Sequence, residues 1–261
     1  MSRNSVSENL AFGFIRIAST PSKPREYGLT IIADRGIAMG RVSDLIEAAG
    51  AYIDYVKVGI GAYRLQSEEF VRRKVKAFHD ANIKVFFAGD VSEAAFLQGV
   101  SQQFYKTAKN FGADAVEVSS AQVTISLRDM CELIRMAAGE GLQVVAEVGQ
   151  KGHEDWTRSE RYVCTQIEAY RKAGAWKVSV QSEGTSEDVE ALKESLLLNL
   201  VAHFDLQDFI FQAKDGKSQY WYINTFGNQV NLDIYDHQII DTELMRRGIR
   251  KRGVFGLVGS L

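Results

Sequence analysis

The chain has 261 residues, of which 31 are Lys or Arg and 33 are Asp or Glu, for a formal net charge of −2. A composition of 46% hydrophobic and 25% charged residues excludes a disordered, collagenous or disulfide-scaffold protein. The near-neutral balance leaves no bulk attraction to nucleic acid or to an anionic membrane, so neither is expected as a partner. The two cysteines, Cys131 and Cys164, lack the paired spacing of a zinc or redox site. Both prolines, Pro21 and Pro24, precede residue 25.

The first apolar run, Leu10–Ala18, is interrupted by Arg16, is too short to span a bilayer and lacks a small-residue cleavage pattern. A cytoplasmic protein is expected. The first predicted strand is Leu29–Ala33, followed by Ile53–Val58. Helical periodicity then covers Ser67–Asn82, with Val71, Val75 and Phe78 on one face. A third strand, Ile83–Phe87, precedes a helix marked by Phe96, Val100, Phe104 and Phe111. Strands Ala115–Val118, Gln143–Ala146, Lys177–Val180, Phe209–Phe211 and Gln229–Leu232 follow, and Ile240, Leu244 and Ile249 suggest a last helix. Gly50, Gly112, Gly141 and Gly174 each precede a strand, where a glycine ends the helix before it.

Strand centres recur about every 20 to 35 residues, the length of one strand–helix unit. Several runs are apolar on both faces, as parallel strands covered by helices require. Eight such units fit a single-domain (β/α)₈ barrel over residues 21–261, with residues 1–20 as an N-terminal arm. A doubly wound open sheet is the alternative, although no G-x-G-x-x-G motif opens the first unit.

In a parallel barrel the chemistry gathers at the C-terminal ends of the strands. Those ends carry Asp34, Lys57, Asp90, Glu117, Glu147, Gln181, Gln212 and Asn231, with Lys151, Glu183 and Asp233 in the loops nearby. Carboxylates and lysines converging on one mouth could hold a hard divalent cation and move a proton. A polar barrel mouth points to an enzyme.

A set of segments in order carries a more specific likeness. Lys23-Pro-Arg-Glu-Tyr-Gly28, Asp34-Arg-Gly36, Asp54-Tyr-Val-Lys57-Val-Gly59-Ile-Gly61 and Glu147-Val-Gly-Gln-Lys151 resemble the phosphosulfolactate synthase family. Ala173-Gly-Ala175, Phe226-Gly227, Val230-Asn-Leu232 and Glu243-Leu-Met-Arg246-Arg-Gly248-Ile-Arg250 continue the likeness, which spans about residues 20 to 255. The resemblance implies a (β/α)₈ barrel and Mg²⁺-dependent addition of sulfite to phosphoenolpyruvate. It implies Lys151 as the proton donor, with Lys57 as a second candidate or a charge partner. Asp34, Glu117 and Glu147 match acidic positions and become the expected Mg²⁺ ligands. For a small anionic carboxylate substrate, Lys23, Arg25, Arg246 and Arg250 match basic motifs, and arginine forks suit phosphate or sulfonate. Gln181, Gln212 and Asn231 are the neutral candidates for substrate binding, and a homo-oligomer is compatible with the sequence.

The chain departs from the family pattern at strand ends. Family carboxylates are replaced by Gln181 and Gln212, an arginine by Glu183, and a proline by Lys214. A substitution of Glu by Gln keeps shape and one acceptor but removes charge. The alternatives are therefore a remodelled lyase acting on another carboxylate and a non-catalytic interaction barrel like the similar plant heat-stress-associated proteins. A Schiff-base aldolase or isomerase using Lys57 or Lys151 is a third.

Overall fold

A computed structural model describes residues 10–15, 17–149, 159–182 and 192–250. Eight parallel strands close into a barrel in sequence order: β1 (Thr30–Asp34), β2 (Tyr55–Val58), β3 (Lys84–Phe87), β4 (Ala115–Val118), β5 (Gln143–Val148), β6 (Lys177–Val180), β7 (Phe209–Gln212) and β8 (Leu232–Tyr235). The closing pair sets Thr30 against Leu232 and Ala33 against Tyr235. The helices are α1 (Met39–Ala49), α2 (Glu68–Asp80), α3 (Gly89–Leu97), α4 (Ser101–Asn110), α5 (Leu127–Gly139), α6 (Glu160–Ala173), α7 (Glu194–His203), α8 (Gly216–Phe226) and α9 (Ile239–Arg246). The (β/α)₈ expectation holds.

Alternation along each strand builds two cores. Ile32, Val56, Val85, Val116, Val144 and Val178 point outward and pack with the inner faces of the helices. Leu29, Ile31, Tyr55, Phe86, Val145 and Ile210 point inward and fill the lower barrel, with Trp176 against them. Both strand faces are thus buried, which is why the runs read as continuously apolar. Helix starts are set locally. The Ser67, Ser126 and Ser159 hydroxyls accept the amides of Phe70, Asp129 and Tyr162, and the Asp215 carboxylate accepts those of Lys217 and Ser218.

Three element expectations need correction. The last strand begins at Leu232, so Asn231 precedes it instead of ending it. The single helix expected across Phe96–Phe111 is two, α3 and α4, separated by Gly99 at φ +68, a conformation that breaks helical hydrogen bonding. Gly50 ends α1 at φ −56 and opens a short 3₁₀ turn, whereas Gly112, Gly141 and Gly174 have the expected positive φ. Among the described residues no helix is long and apolar enough to cross a membrane.

Candidate functional site

A cavity of about 290 Å³ opens at the C-terminal end of the strands, lined among others by Arg35, Lys57, Glu117, Glu147, Gln212 and Lys214. The pleat explains the choice. In β2 the residues facing the barrel axis are Tyr55 and Lys57, so an apolar floor residue is followed one step higher by a cation. The same step puts Glu117 above Ala115 in β4 and Glu147 above Val145 in β5.

Lys57 is only 8% exposed. Its Nζ lies 2.8 Å from Asp233 Oδ2 and 3.2 Å from Glu117 Oε1. Lys57, Glu117 and Asp233 come from even-numbered strands, the set that shares a layer in such barrels. Burial works against the ammonium, but Asp233, then Glu117 and Glu147, outweigh it and hold Lys57 well above the ordinary lysine range. Asp233 also accepts from Lys214 Nζ at 2.6 Å on Oδ1. Burial disfavours its charge, yet Lys214 and Lys57 together keep its carboxyl below the usual range. For Lys214 the balance falls the other way: burial, supported by the charge of Lys57, lowers it despite Asp233.

The second carboxylate oxygen of Glu117 accepts the Gly89 amide at 3.0 Å, tying β4 to the start of α3. Gln212 Nε2 donates to Glu147 Oε2 at 2.8 Å and to Ser179 Oγ at 3.3 Å. Gln181 is buried just past β6 beside Gly149, whose φ of +136 suits glycine and where an added Cβ would stand 2.6 Å from Gln181 Cβ. Glu93 of α3 shapes another part of the rim. Its carboxylate accepts the Ser119 hydroxyl and the amides of Ala121, Gln122 and Val123 at 2.8–2.9 Å, and Ser119 and Ala121 line the cavity.

Several expected site residues lie elsewhere. Asp34 follows the inward Ala33 by one position and so faces outward, where its Oδ2 meets Lys74 Nζ at 2.7 Å. Its Oδ1 accepts the amides of Gly36 and Ile37 at 2.8 Å each. Its carboxylate holds a loop and a buried ion pair, a correction to its expected place among metal ligands. Lys23, Arg25, Asn231 and Arg246 gather at the opposite, N-terminal end of the barrel. Lys23 Nζ donates to the Gly50 carbonyl at 3.0 Å, and Arg25 Nη2 lies 2.8 Å from Asp54 Oδ2 just before β2. Asn231 joins the Leu29 amide and the Phe209 carbonyl. Arg246, fully buried, donates to the carbonyls of Asn228 and Leu29. Arg250 lies past the end of α9 and pairs with Asp241. The reason is topological: chain entering a strand, and the end of a helix returning from one, both lie at the N-terminal face. These basic residues are therefore removed from the expected anion site at the mouth. Lys151 and Glu183 lie outside the described residues.

Among the described residues no group of three or more His, Cys, Asp or Glu side chains is arranged to hold a metal. Mg²⁺ does not require one, since it commonly takes one or two carboxylates together with waters and substrate oxygens. Glu117 and Glu147 on the cavity wall fit that pattern; Asp34 does not. Asp233 and Lys214 are mouth residues that counting along the predicted strands does not single out: Asp233 falls past the predicted eighth strand, and Lys214 lies two positions beyond the end of β7.

Known proteins resemble this chain over most of its length. The model of the (2R)-phospho-3-sulfolactate synthase (ComA) family matches residues 18–252. Phosphosulfolactate synthase of Methanocaldococcus jannaschii is 30% identical over 233 residues, covering 85% of this chain and 92% of that protein. Protein HEAT-STRESS-ASSOCIATED 32 of Arabidopsis thaliana is 21% identical over 254 residues, covering 87% and 88%. Among solved structures, N-acetylneuraminate lyase from Mycoplasma synoviae superposes with a TM-score of 0.58 at 11% identity over 91% of this chain and 81% of that one, a likeness of fold alone. With its matched segment running through all eight strands of the barrel, the chain belongs to the (2R)-phospho-3-sulfolactate synthase (ComA) family.

Proposed function

We propose that the protein is a carbon–sulfur lyase that joins sulfite to phosphoenolpyruvate. The observation that carries this reading is Lys57, a buried cation held between Glu117 and Asp233 on the wall of the mouth, in a chain of this family. In the reaction the sulfite sulfur forms a bond to the methylene carbon. The double-bond pair moves toward the carbon bearing phosphate and carboxylate, and negative charge collects on the carboxylate as an enediolate. A proton delivered to that carbon completes the addition. Fixed positive charge at the place where the enediolate forms lowers its energy more than that of the substrate.

Lys57 suits the electrostatic part of this task and not the proton transfer, because its carboxylate neighbours keep it protonated. Lys151, assigned by its place in the family motif, is the proposed proton donor. Gln212 braces Glu147 through a 2.8 Å hydrogen bond. Mg²⁺ held by Glu117 and Glu147 would supply Lewis-acid charge for the substrate's oxygens.

Incubation with Mg²⁺, sulfite and phosphoenolpyruvate, followed by ³¹P NMR and mass spectrometry, should reveal a sulfonated phosphate ester. EDTA should suppress its formation, and lack of product between pH 6 and 9 would sink the reading. The likeness to Protein HEAT-STRESS-ASSOCIATED 32 favours a second reading, a barrel kept for protein contacts. Calorimetry separates the two, since an interaction barrel should take up neither Mg²⁺ nor phosphoenolpyruvate at the mouth.

A further inference from the structure

We propose that Lys214 anchors a compact anionic group, a phosphate or carboxylate, at the rim of the mouth and thereby selects substrates that carry a second anionic group. The identity of the substrate rests on the sulfite-addition reading; the anion site rests on the charge arrangement alone.

One carboxylate is divided between two lysines. Asp233 Oδ2 takes Lys57 at 2.8 Å and Oδ1 takes Lys214 at 2.6 Å. Lys57 has a further partner in Glu117 at 3.2 Å and feels the charge of Glu147 as well. Among the described residues, Lys214 has Asp233 as its only carboxylate in salt-bridge reach. Lys214 therefore answers to one carboxylate, and it shares that carboxylate with Lys57. An ammonium has three donors, and the bond to Asp233 uses one of them. The Tyr235 ring lies 5.1 Å from Nζ, and both residues line the cavity.

The surroundings strengthen the case. Gln212, two positions earlier on β7, is neutral, and its amide is turned to Glu147 and Ser179. The strand end that carries Lys214 thus adds no carboxylate that would repel a ligand. Arg35, from the loop after β1, lines the same cavity and adds a second cation. Burial disfavours the Lys214 charge, and an arriving anion offsets that cost. Since Lys57 and Lys214 both hydrogen-bond one carboxylate, the two ends of a small acid can reach both ammonium groups. One end meets Lys57, where the enediolate is stabilised, and the other meets Lys214.

The test uses the full-length protein and its K214Q and K214R variants, with inorganic phosphate and phosphoenolpyruvate as calorimetric probes and thermal unfolding as the control for folding. Both probes should bind the wild type. K214Q should weaken both by about tenfold or more, and K214R should recover most of the loss because the charge returns. In turnover the K214Q loss should fall on KM and leave kcat within about threefold. The inference is overturned if K214Q binds both probes within about twofold of wild type, or if the wild type takes up neither. Binding of phosphate through Lys214 without formation of the sulfonated product would leave the anchor standing and remove the sulfite-addition reading. Wild-type turnover in K214Q would do the reverse.

Discussion

The Asp34 carboxylate meets the Lys74 ammonium at 2.7 Å in the layer between β1 and α2, with both side chains almost wholly shielded from water. Such a pair contributes little net stability, but removing one partner strands the other as a buried charge. K74M is expected to cost about 3 kcal/mol in urea unfolding. Because Asp34 faces away from the mouth, the Mg²⁺ concentration for half-maximal turnover should not move. A tenfold change in that concentration with unaltered stability would return Asp34 to the metal site.

Lys57 acts by charge in the proposed reaction, so the sign of the side chain matters more than its proton. K57M should lower kcat/KM by about three orders of magnitude, comparable to the loss of a main electrostatic group. K57R keeps the cation in a different shape and should retain part of the rate. Equal loss in both variants would argue against an electrostatic role. Circular dichroism at the assay temperature must accompany the kinetics, because Glu117 and Asp233 lose a counter-ion in K57M.

Glu93 receives three backbone amides and one hydroxyl from the loop after β4. E93A leaves those donors without their acceptor and is expected to cost about 2 kcal/mol or more. The loop supplies Ser119 and Ala121 to the cavity, so KM for phosphoenolpyruvate should rise. E93Q, which keeps one acceptor oxygen, should lie between wild type and E93A in both measurements. Unchanged stability in E93A would refute the bracing role.

At the N-terminal face, burial of Lys23, helped by Arg25 and opposed by Asp54, lowers its pKa to about 8. The unfolded chain then holds the Lys23 proton to higher pH than the folded one, so this group adds stability as pH rises from about 8 toward 10. Cys131 and Cys164, raised by burial, act in the opposite sense in that window. The clean quantity is the difference between wild type and K23M in urea midpoint. It should shift in favour of wild type between pH 8 and 10; a flat difference would contradict the assignment. KM for phosphoenolpyruvate should be the same in both proteins.

Much of the fold is legible in the sequence, because strands buried on both faces leave short continuous apolar runs such as Ile31–Ala33 and Val144–Ala146. The eighth strand is obscured by its composition: Asp233 interrupts the apolar run where β8 lies, while Val230 extends it on the wrong side. The convergence of Lys57, Glu117, Glu147 and Gln212 also follows from strand ends once the barrel is inferred. Asp34 is misplaced by one residue of pleat, which a two-residue count from Leu29, Ile31 and Ala33 reveals. The misplacement of Arg25 and Arg246 has a topological cause that motif matching does not weigh. Lys214 gives no periodic signal, since it lies in a loop and gains meaning only from the position of Asp233.

The apolar packing of the lower barrel, with Ile31, Tyr55, Phe86, Val145 and Ile210 meeting across the axis above Trp176, makes the molecule a blind-ended vessel. Among the described residues the site opens at the mouth. In the proposed reaction both reactants and the larger product would pass that one rim, and a product seated there would shut out phosphoenolpyruvate. Inhibition by product should therefore be competitive with it.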